Sequence, residues 1–337
     1  MTSNKRIFVT GSSGFIGFHL CKLLLSQGFR VHGYDGMTDY YDVTLKEKRL
    51  SILNTQSNFS FTEGMLEDSD LVNSEFQKFN ADIVVHLAAQ AGVRYSLKNP
   101  RAYIDSNIVG TFNIMEASRL NNIEHLLMAS TSSVYGANEK MPFVESDKAD
   151  TQLTIYAATK KSNESMAHSN AYLYKIPTTM FRFFTVYGPW GRPDMALFKF
   201  TKGILDNEKI DIYNNGEMHR DFTYVDDLVK GIRLLFEAVP ETGNAVSDMD
   251  NISNVAPFRV VNIGNSDKVK LIDFIEIIES ELGQKAQRNM MPMQVGDVKD
   301  TLADVSLLKS LTGFTPKTNI KKGISEFIGW YRDYYNV

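Results

Sequence analysis

Residues 5–17, KRIFVTGSSGFIG, decide the fold. Ile7, Phe8, Val9 and Thr10 read as a strand that runs into Gly11. Gly14 and Gly17 follow, and an apolar stretch over 14–27 reads as a helix. Glycines at such a junction let the backbone turn tightly and approach a pyrophosphate, which then sits on the free N–H groups of the helix start. The spacing is Gly-x-x-Gly-x-x-Gly rather than the usual Gly-x-Gly-x-x-Gly, so alone it is a weak sign, and a plain strand-to-helix turn would look the same.

The next strand, RVHGYDG, closes on Asp35, 18 residues beyond Gly17. A carboxylate there accepts from both hydroxyls of a ribose and repels a 2′-phosphate, which favours NAD over NADP. An Asp before Gly is also an ordinary turn residue. Further along, FSFTEG, ADIVVHLAA, HLLMASTSSVYG and TTMFRFFTVYG read as strands, with helices over 101–121 and 156–174. Their nearly continuous apolar cores are those of parallel strands covered on both faces. The expected fold is α/β, a doubly wound parallel sheet of Rossmann type, with ligands at the carboxyl ends of the strands. The alternation stops near residue 188. Residues 1–188 are expected to form the nucleotide domain and 189–337 a smaller mixed α/β lobe, with some crossing of the chain between them. A polar loop over 239–257 is expected to be mobile.

The chain has 337 residues, 43% apolar and 23% charged, with formal net charge −4. This is the composition of a globular protein and gives no reason to expect nucleic acid. The single cysteine, Cys21, excludes an internal disulfide and lies in the apolar pattern of the first helix. Six histidines are scattered without metal-ligand spacing. The start, MTSNKRIFVTG, shows no leader pattern, and no apolar run is long enough to span a bilayer. A cytosolic, metal-free protein without membrane contact is expected.

The stretch IYAATK supplies Tyr156 and Lys160, one helical turn apart on one face. A phenol is a poor base at neutral pH, but a neighbouring ammonium and a cationic nicotinamide ring favour its phenolate. Such a phenolate can take the proton of an alcohol while NAD accepts a hydride. The pair is frequent by chance on exposed helices, and gains meaning from the glycine loop and Asp35 upstream. A run of hydroxyls, Ser130-Thr131-Ser132-Ser133, precedes Val134-Tyr135-Gly136 and contains no carboxylate.

Over essentially its whole length the chain resembles the extended short-chain dehydrogenase/reductase family. The resemblance rests on TGxxGFIG, the HLAA strand, Asn107 of NIVGT and YxxxK. Within that family, YYDVTLKEKRL, FFTVYGPWGRPDMALFKFTKGI and RDFTYVDDLVKGI resemble the UDP-glucuronate 4-epimerases. The resemblance implies tightly held NAD, UDP-sugar substrates and a homodimer built on a four-helix contact. It implies interconversion of UDP-glucuronate and UDP-galacturonate by transient oxidation at C4, turning of the keto sugar and return of the hydride. UDP-N-acetylglucosaminuronate stays open as a substrate, because Thr301 stands where the UDP-galactose branch carries a bulky aromatic, and epimerisation of a neutral UDP-hexose is a further alternative. Decarboxylation of UDP-glucuronate and a non-enzymatic NAD-binding role are rival readings, the latter opposed by the intact Tyr156 and Lys160.

The roles implied by the resemblance are as follows. Gly11, Gly14, Phe15, Ile16, Gly17, Asp35, Leu66, Leu87, Ala88, Ala89, Gln90 and Asn107 hold the cofactor beside Tyr156 and Lys160. Thr131 bonds the sugar 4-oxygen. Arg220 contacts the diphosphate and Asp297 the uridine, with Gln294 where the UDP-galactose branch has arginine. Thr185 stands where that branch has asparagine, and Arg94 and Arg192 are two spare cations near the pocket. Ser132 and Ser133 occupy positions that are acidic in dehydratases, and Ser133 the glutamate position of decarboxylases. One position departs from the pattern: the third strand ends Gly64-Met65 where the family carries Gly-Asp. That change removes a polar contact to adenine and predicts weaker NAD binding, with Leu66 still packing on the base.

Overall fold

Residues 7–9 of the first strand are completely buried, as are Val84, Val85, Leu126 and Leu127 of two others. Such strands must be covered on both sides. In the computed structural model, which describes residues 5–294 and 296–337, they form one layer of a sandwich. Residues 1–4 of the start read above, and Val295 of QVGDV, lie outside the described residues.

From the amino end run β1 (Arg6–Thr10), α1 (Phe15–Ser26), β2 (Arg30–Asp35), α2 (Val43–Leu53), β3 (Phe59–Glu63), α3 (Ser69–Phe79) and β4 (Ile83–His86). Two single turns, α4 (Tyr95–Lys98) and α5 (Pro100–Tyr103), lead through a π-helical segment, Ile104–Gly110, into α6 (Thr111–Leu120) and β5 (His125–Ala129). A 3-10 turn over Ser132–Tyr135 precedes α7 (Ile155–Tyr174), β6 (Thr178–Phe183) and β7 (Thr185–Tyr187). Then come α8 (Ala196–Leu205), β8 (Lys209–Ile212), β9 (His219–Tyr224), α9 (Val225–Leu235) and β10 (Phe258–Ile263). The chain closes with β11 (Lys268–Lys270), α10 (Leu271–Leu282), β12 (Gln287–Met290), α11 (Ser306–Thr312) and α12 (Ile320–Tyr335).

The main sheet has the order β10-β6-β5-β4-β1-β2-β3 with every pair parallel. Strand order reverses between β1 and β4, and the carboxyl ends diverge there to leave a crevice. Leu24 of α1 and Ile232 of α9 belong to the core on one face. Phe76 of α3, Ile114 of α6 and Ala167 and Ala171 of α7 belong to the core on the other. A third core, around Phe222, Phe274, Ile278 and Phe327, fills the small lobe with its sheets β11-β9-β7 and β12-β8.

Three expectations change. The run 178–188 is two strands, because Phe183 and Phe184 are both buried and adjacent residues point to opposite sides of a strand. β6 stays in the main sheet and β7 crosses to the small one. The helix over 101–121 is broken by the π-helical segment, where Gly110 packs so closely on Leu66 that a Cβ would lie 2.5 Å from the leucine Cβ. Beyond residue 188 the chain crosses back between the lobes: β10 completes the first sheet and α9 packs on α1. The inner part of the 239–257 loop is pinned. Asp250 accepts from Arg259 Nε at 2.8 Å and Nη2 at 2.9 Å, both side chains being buried, and Asn251 exchanges two bonds with the Val260 backbone.

Candidate active site

Gly11 adopts φ +72°, and a Cβ on it would lie 2.8 Å from the Ala88 nitrogen. At Gly17 a Cβ would fall 2.0 Å from the Gly11 carbonyl oxygen, so only glycine lets α1 begin this close to the turn. Two side chains fix the loop. Thr10 Oγ1 accepts from the backbone N–H groups of Leu87 and Ala88, each at 3.1 Å, which ties the HLAA segment to the end of β1. Arg49 of α2, fully buried, donates to the Ser13 carbonyl at 3.0 Å and to the Trp190 carbonyl at 2.7 Å. Asp35 ends β2 and accepts from Ser13 N at 3.0 Å and Met37 N at 2.9 Å, so the acidic group stands directly against the glycine loop.

The loop opens into a cavity of about 1190 Å³ between the sheet ends and the small lobe. Its cofactor end is lined by Gly11, Gly14, Phe15, Ile16, Gly17, Asp35, Leu66 and the segment Leu87-Ala88-Ala89-Gln90. Thr131, Ser132, Ser133, Tyr156, Lys160 and Thr185 line its middle, and Arg94, Arg192, Arg220, Gln294 and Asp297 its far part. Asn107 is the one expected site residue that does not line it. Its amide accepts from Gln90 N at 2.8 Å and donates to Gln90 O and Thr159 Oγ1, each at 3.1 Å, so it fastens the cofactor wall to α7.

Thr154 caps α7 by accepting from Ala157 N at 3.2 Å. Steps of four then put Tyr156, Lys160 and Glu164 on one face. Glu164 makes a two-pronged ion pair with Arg182 of β6, both contacts 2.9 Å, and accepts from Ser130 Oγ at 2.7 Å. That pair locks α7 to the ends of β5 and β6 and so fixes where Tyr156 and Lys160 stand. Burial pushes the Lys160 ammonium down to about 8, opposed by Glu164. Burial raises the Tyr156 phenol, and the Thr131 hydroxyl and then Arg192 pull it back. His86, driven down to about 3 by burial and the nearby Lys160, is neutral and bridges Thr10 at 2.7 Å and Thr111 at 3.0 Å.

The hydroxyl run divides its work. Ser130 belongs to the buried Glu164 network, and Thr131 caps the 3-10 turn by accepting from Ser133 N at 3.2 Å. Arg192 is not a spare cation: it binds Asp194 through Nε at 3.0 Å and Nη2 at 2.5 Å, and Tyr40 donates to the same carboxylate at 3.1 Å. Arg94 lies against the Tyr213 ring at 4.6 Å. Arg220 donates to Asp297 at 2.9 Å and to the Val298 carbonyl at 2.7 Å, so the two groups expected at opposite ends of the nucleotide form one clasp. Gln294 keeps a buried Oε1 without a protein partner. Thr301 lines the cavity and accepts from Asp221 N at 3.2 Å.

Asp194, Tyr40, Lys199 and Glu67 also line the cavity and were not read from the sequence. Asp194 carried a signal, two residues after Arg192 in a Gly-Arg-Pro-Asp turn. The others depend on approach of distant segments.

A doubly wound sheet whose first loop is shaped for a pyrophosphate, and whose crevice continues to a tyrosine-lysine pair, defines a dinucleotide-dependent enzyme of the α/β class. Residues 8–327 match the family model described as GDP-mannose 4,6 dehydratase, and the chain belongs to that family. It is 53% identical to a probable UDP-glucuronate 4-epimerase of Rhizobium meliloti over 333 residues, 98% of each chain. UDP-glucuronate 4-epimerase 1 of Arabidopsis thaliana is 42% identical, with 98% of this chain and 77% of that one covered. Among solved structures, UDP-glucuronic acid 4-epimerase from Bacillus cereus in complex with UDP-glucuronic acid and NAD superposes with TM-score 0.87 at 33% identity, covering 98% of this chain and all of that one.

Proposed function

We propose that the chain interconverts UDP-glucuronate and UDP-galacturonate by NAD-dependent epimerisation at C4. The observation that carries the reading is a proton-transfer pair beside a run of hydroxyls that contains no carboxylate. Tyr156 and Lys160 line the cavity with Thr131, Ser132 and Ser133, and the acid nearest the run, Glu164, is consumed by Arg182. The relatives named above support the substrate class.

The glycine loop and Asp35 fit the pyrophosphate and adenosine ribose of NAD. When bound, that cofactor supplies reversible hydride acceptance at C4. Tyr156 takes and returns the O4 proton, and the Thr131 hydroxyl favours its phenolate form. Lys160 adds its charge to the same wall. The Arg220–Asp297 clasp and Gln294 hold the UDP part on the small lobe. A uronate oxidised at C4 is a β-keto acid that loses CO₂ once its carboxylate bond stands perpendicular to the carbonyl plane. Ser132, Ser133 and Thr185 donate to that carboxylate, with Arg192 lining the same cavity, and keep it from that geometry. We place the protein in the cytosol as a homodimer. Among the described residues no helix is long and apolar enough to cross a membrane. Phe112 of α6 and Ile155 and Leu173 of α7 expose apolar side chains on neighbouring helices, which suits a contact with a second copy.

Incubation with UDP-glucuronate, UDP-glucose and UDP-N-acetylglucosamine, products resolved by NMR, tests the reading. UDP-galacturonate as the main product is expected. Turnover of the neutral sugars alone, or release of CO₂ with a pentose nucleotide, would overturn it. The small Thr301 in the cavity wall favours a second reading, a uronate with an N-acetyl group at C2, which the corresponding acid substrate tests in the same way.

A further inference from the structure

Trp190 adopts φ +60°, a left-handed backbone that a residue of this bulk takes only where its surroundings hold it there. It lies in the turn Gly188-Pro189-Trp190-Gly191, which follows β7 and delivers Arg192 to the cavity. The ring is wedged 5.5 Å from Phe18 and 5.3 Å from Trp330. The backbone of the turn is held separately. His19 of α1 donates through Nε2 to the Pro189 carbonyl at 2.9 Å. Arg49 of α2 donates through Nη2 to the Trp190 carbonyl at 2.7 Å, and through Nη1 to the Ser13 carbonyl at 3.0 Å and the Tyr41 hydroxyl at 2.8 Å. Arg49 is fully buried, and among the described residues it pairs with no carboxylate; its fork reaches two main-chain carbonyls from distant segments instead. Neither His19 nor Arg49 lines the cavity. Side chains of the two helices that frame the glycine loop thus hold a turn that belongs to the substrate side.

We propose that Arg49 and His19 are positioning residues for Arg192: they hold the strained turn that presents its guanidinium to the substrate carboxylate, and thereby set the preference for a uronate over the neutral sugar. The inference rests on the reading of the substrate as a uronate. Displacing a cation by a small distance weakens its attraction for a charged group and leaves a neutral one nearly unaffected.

The test is titration of the full-length chain, saturated with NAD and carrying Tyr156→Phe to prevent turnover, with UDP-glucuronate and with UDP-glucose, beside the melting temperature of each variant. Without further change this chain should bind UDP-glucuronate more tightly. Arg49→Lys, which keeps the charge and loses the fork, should weaken UDP-glucuronate by roughly tenfold and UDP-glucose by less than about threefold. His19→Leu acts on the other carbonyl without touching the glycine loop, and should shift the two affinities in the same sense. His19→Gln, which keeps a donor near the place of Nε2, should restore the preference. Weakening of both sugars by the same factor in Arg49→Lys and in His19→Leu, with or without a lower melting temperature, would overturn the inference and leave the uronate reading intact. Equal affinity for the two sugars before either change would overturn the uronate reading itself.

Discussion

Tyr156 is poised between two opposed effects. Burial raises its phenol, whereas the Thr131 hydroxyl and the Arg192 charge favour the phenolate. Thr131→Val therefore shifts the rising limb of the pH–rate profile to higher pH by up to about one pH unit, and Thr131→Ser leaves it in place, because one hydrogen bond of ordinary strength is lost and regained. The initial rate against pH in the three proteins checks this. Asp194 is paired with Arg192 and offsets part of its field, so Asp194→Asn should lower KM for UDP-glucuronate severalfold and leave KM for UDP-glucose unchanged. Equal changes for both substrates would show that the pair acts only as a brace. What the sequence revealed at this scale is what lies close along the chain: the glycines, Asp35, and Tyr156 with Lys160. Glu164 with Arg182, Tyr40 with Asp194, and Glu67 beside the cavity become visible only when segments far apart are brought together.

At the scale of elements, the buried polar layer behind α7 is the part with most consequence for stability. Tyr135 donates to Asn262 at 2.8 Å, Asn262 N donates to Glu145 at 2.7 Å, and the Glu145 carbonyl accepts from Arg182. Burial pushes the Glu145 carboxyl up to about 7. Unfolded, it loses its proton well below that, so the native state holds more protons between the two values and stability falls as pH rises through the window. Glu145→Gln keeps the acceptor and removes the charge. Relative to the unaltered chain, the variant should therefore gain stability on the order of 3 kcal/mol between pH 5 and pH 8, read from melting of both proteins at each pH. Asp221, pushed up to about 6, and the buried His32, His86 and His125, held well below the ordinary imidazole value, titrate alike in both proteins and cancel in the comparison. Parallel slopes in the two proteins would contradict the assignment. The strands of the main sheet were legible because their runs are apolar throughout. α2 was not, since Lys46 and Arg49 stand on its buried side beside Leu45 and Leu53 and interrupt the apolar stripe. The split between β6 and β7 depends on the small sheet and has no local mark.

Across the whole molecule, Trp190 joins the two lobes: its ring lies 5.5 Å from Phe18 of α1 and 5.3 Å from Trp330 of α12. Its carbonyl also receives Arg49, so the cofactor loop and the small lobe share one joint. The pattern of the sequence could announce a second lobe but not that β10 would return to complete the first sheet, because parallel pairing is set by the fold rather than by neighbours along the chain. The proposed contact with a second copy is tested at the exposed Phe112. Phe112→Glu should halve the mass measured by light scattering and leave the fold intact, while an unchanged mass would move the contact elsewhere. The central claim is that the hydrogen at C4 leaves and returns within one closed site. UDP-glucuronate deuterated at C4 tests it most directly: the UDP-galacturonate formed should retain the deuterium at C4, and its loss to solvent or to free reduced cofactor would contradict the account.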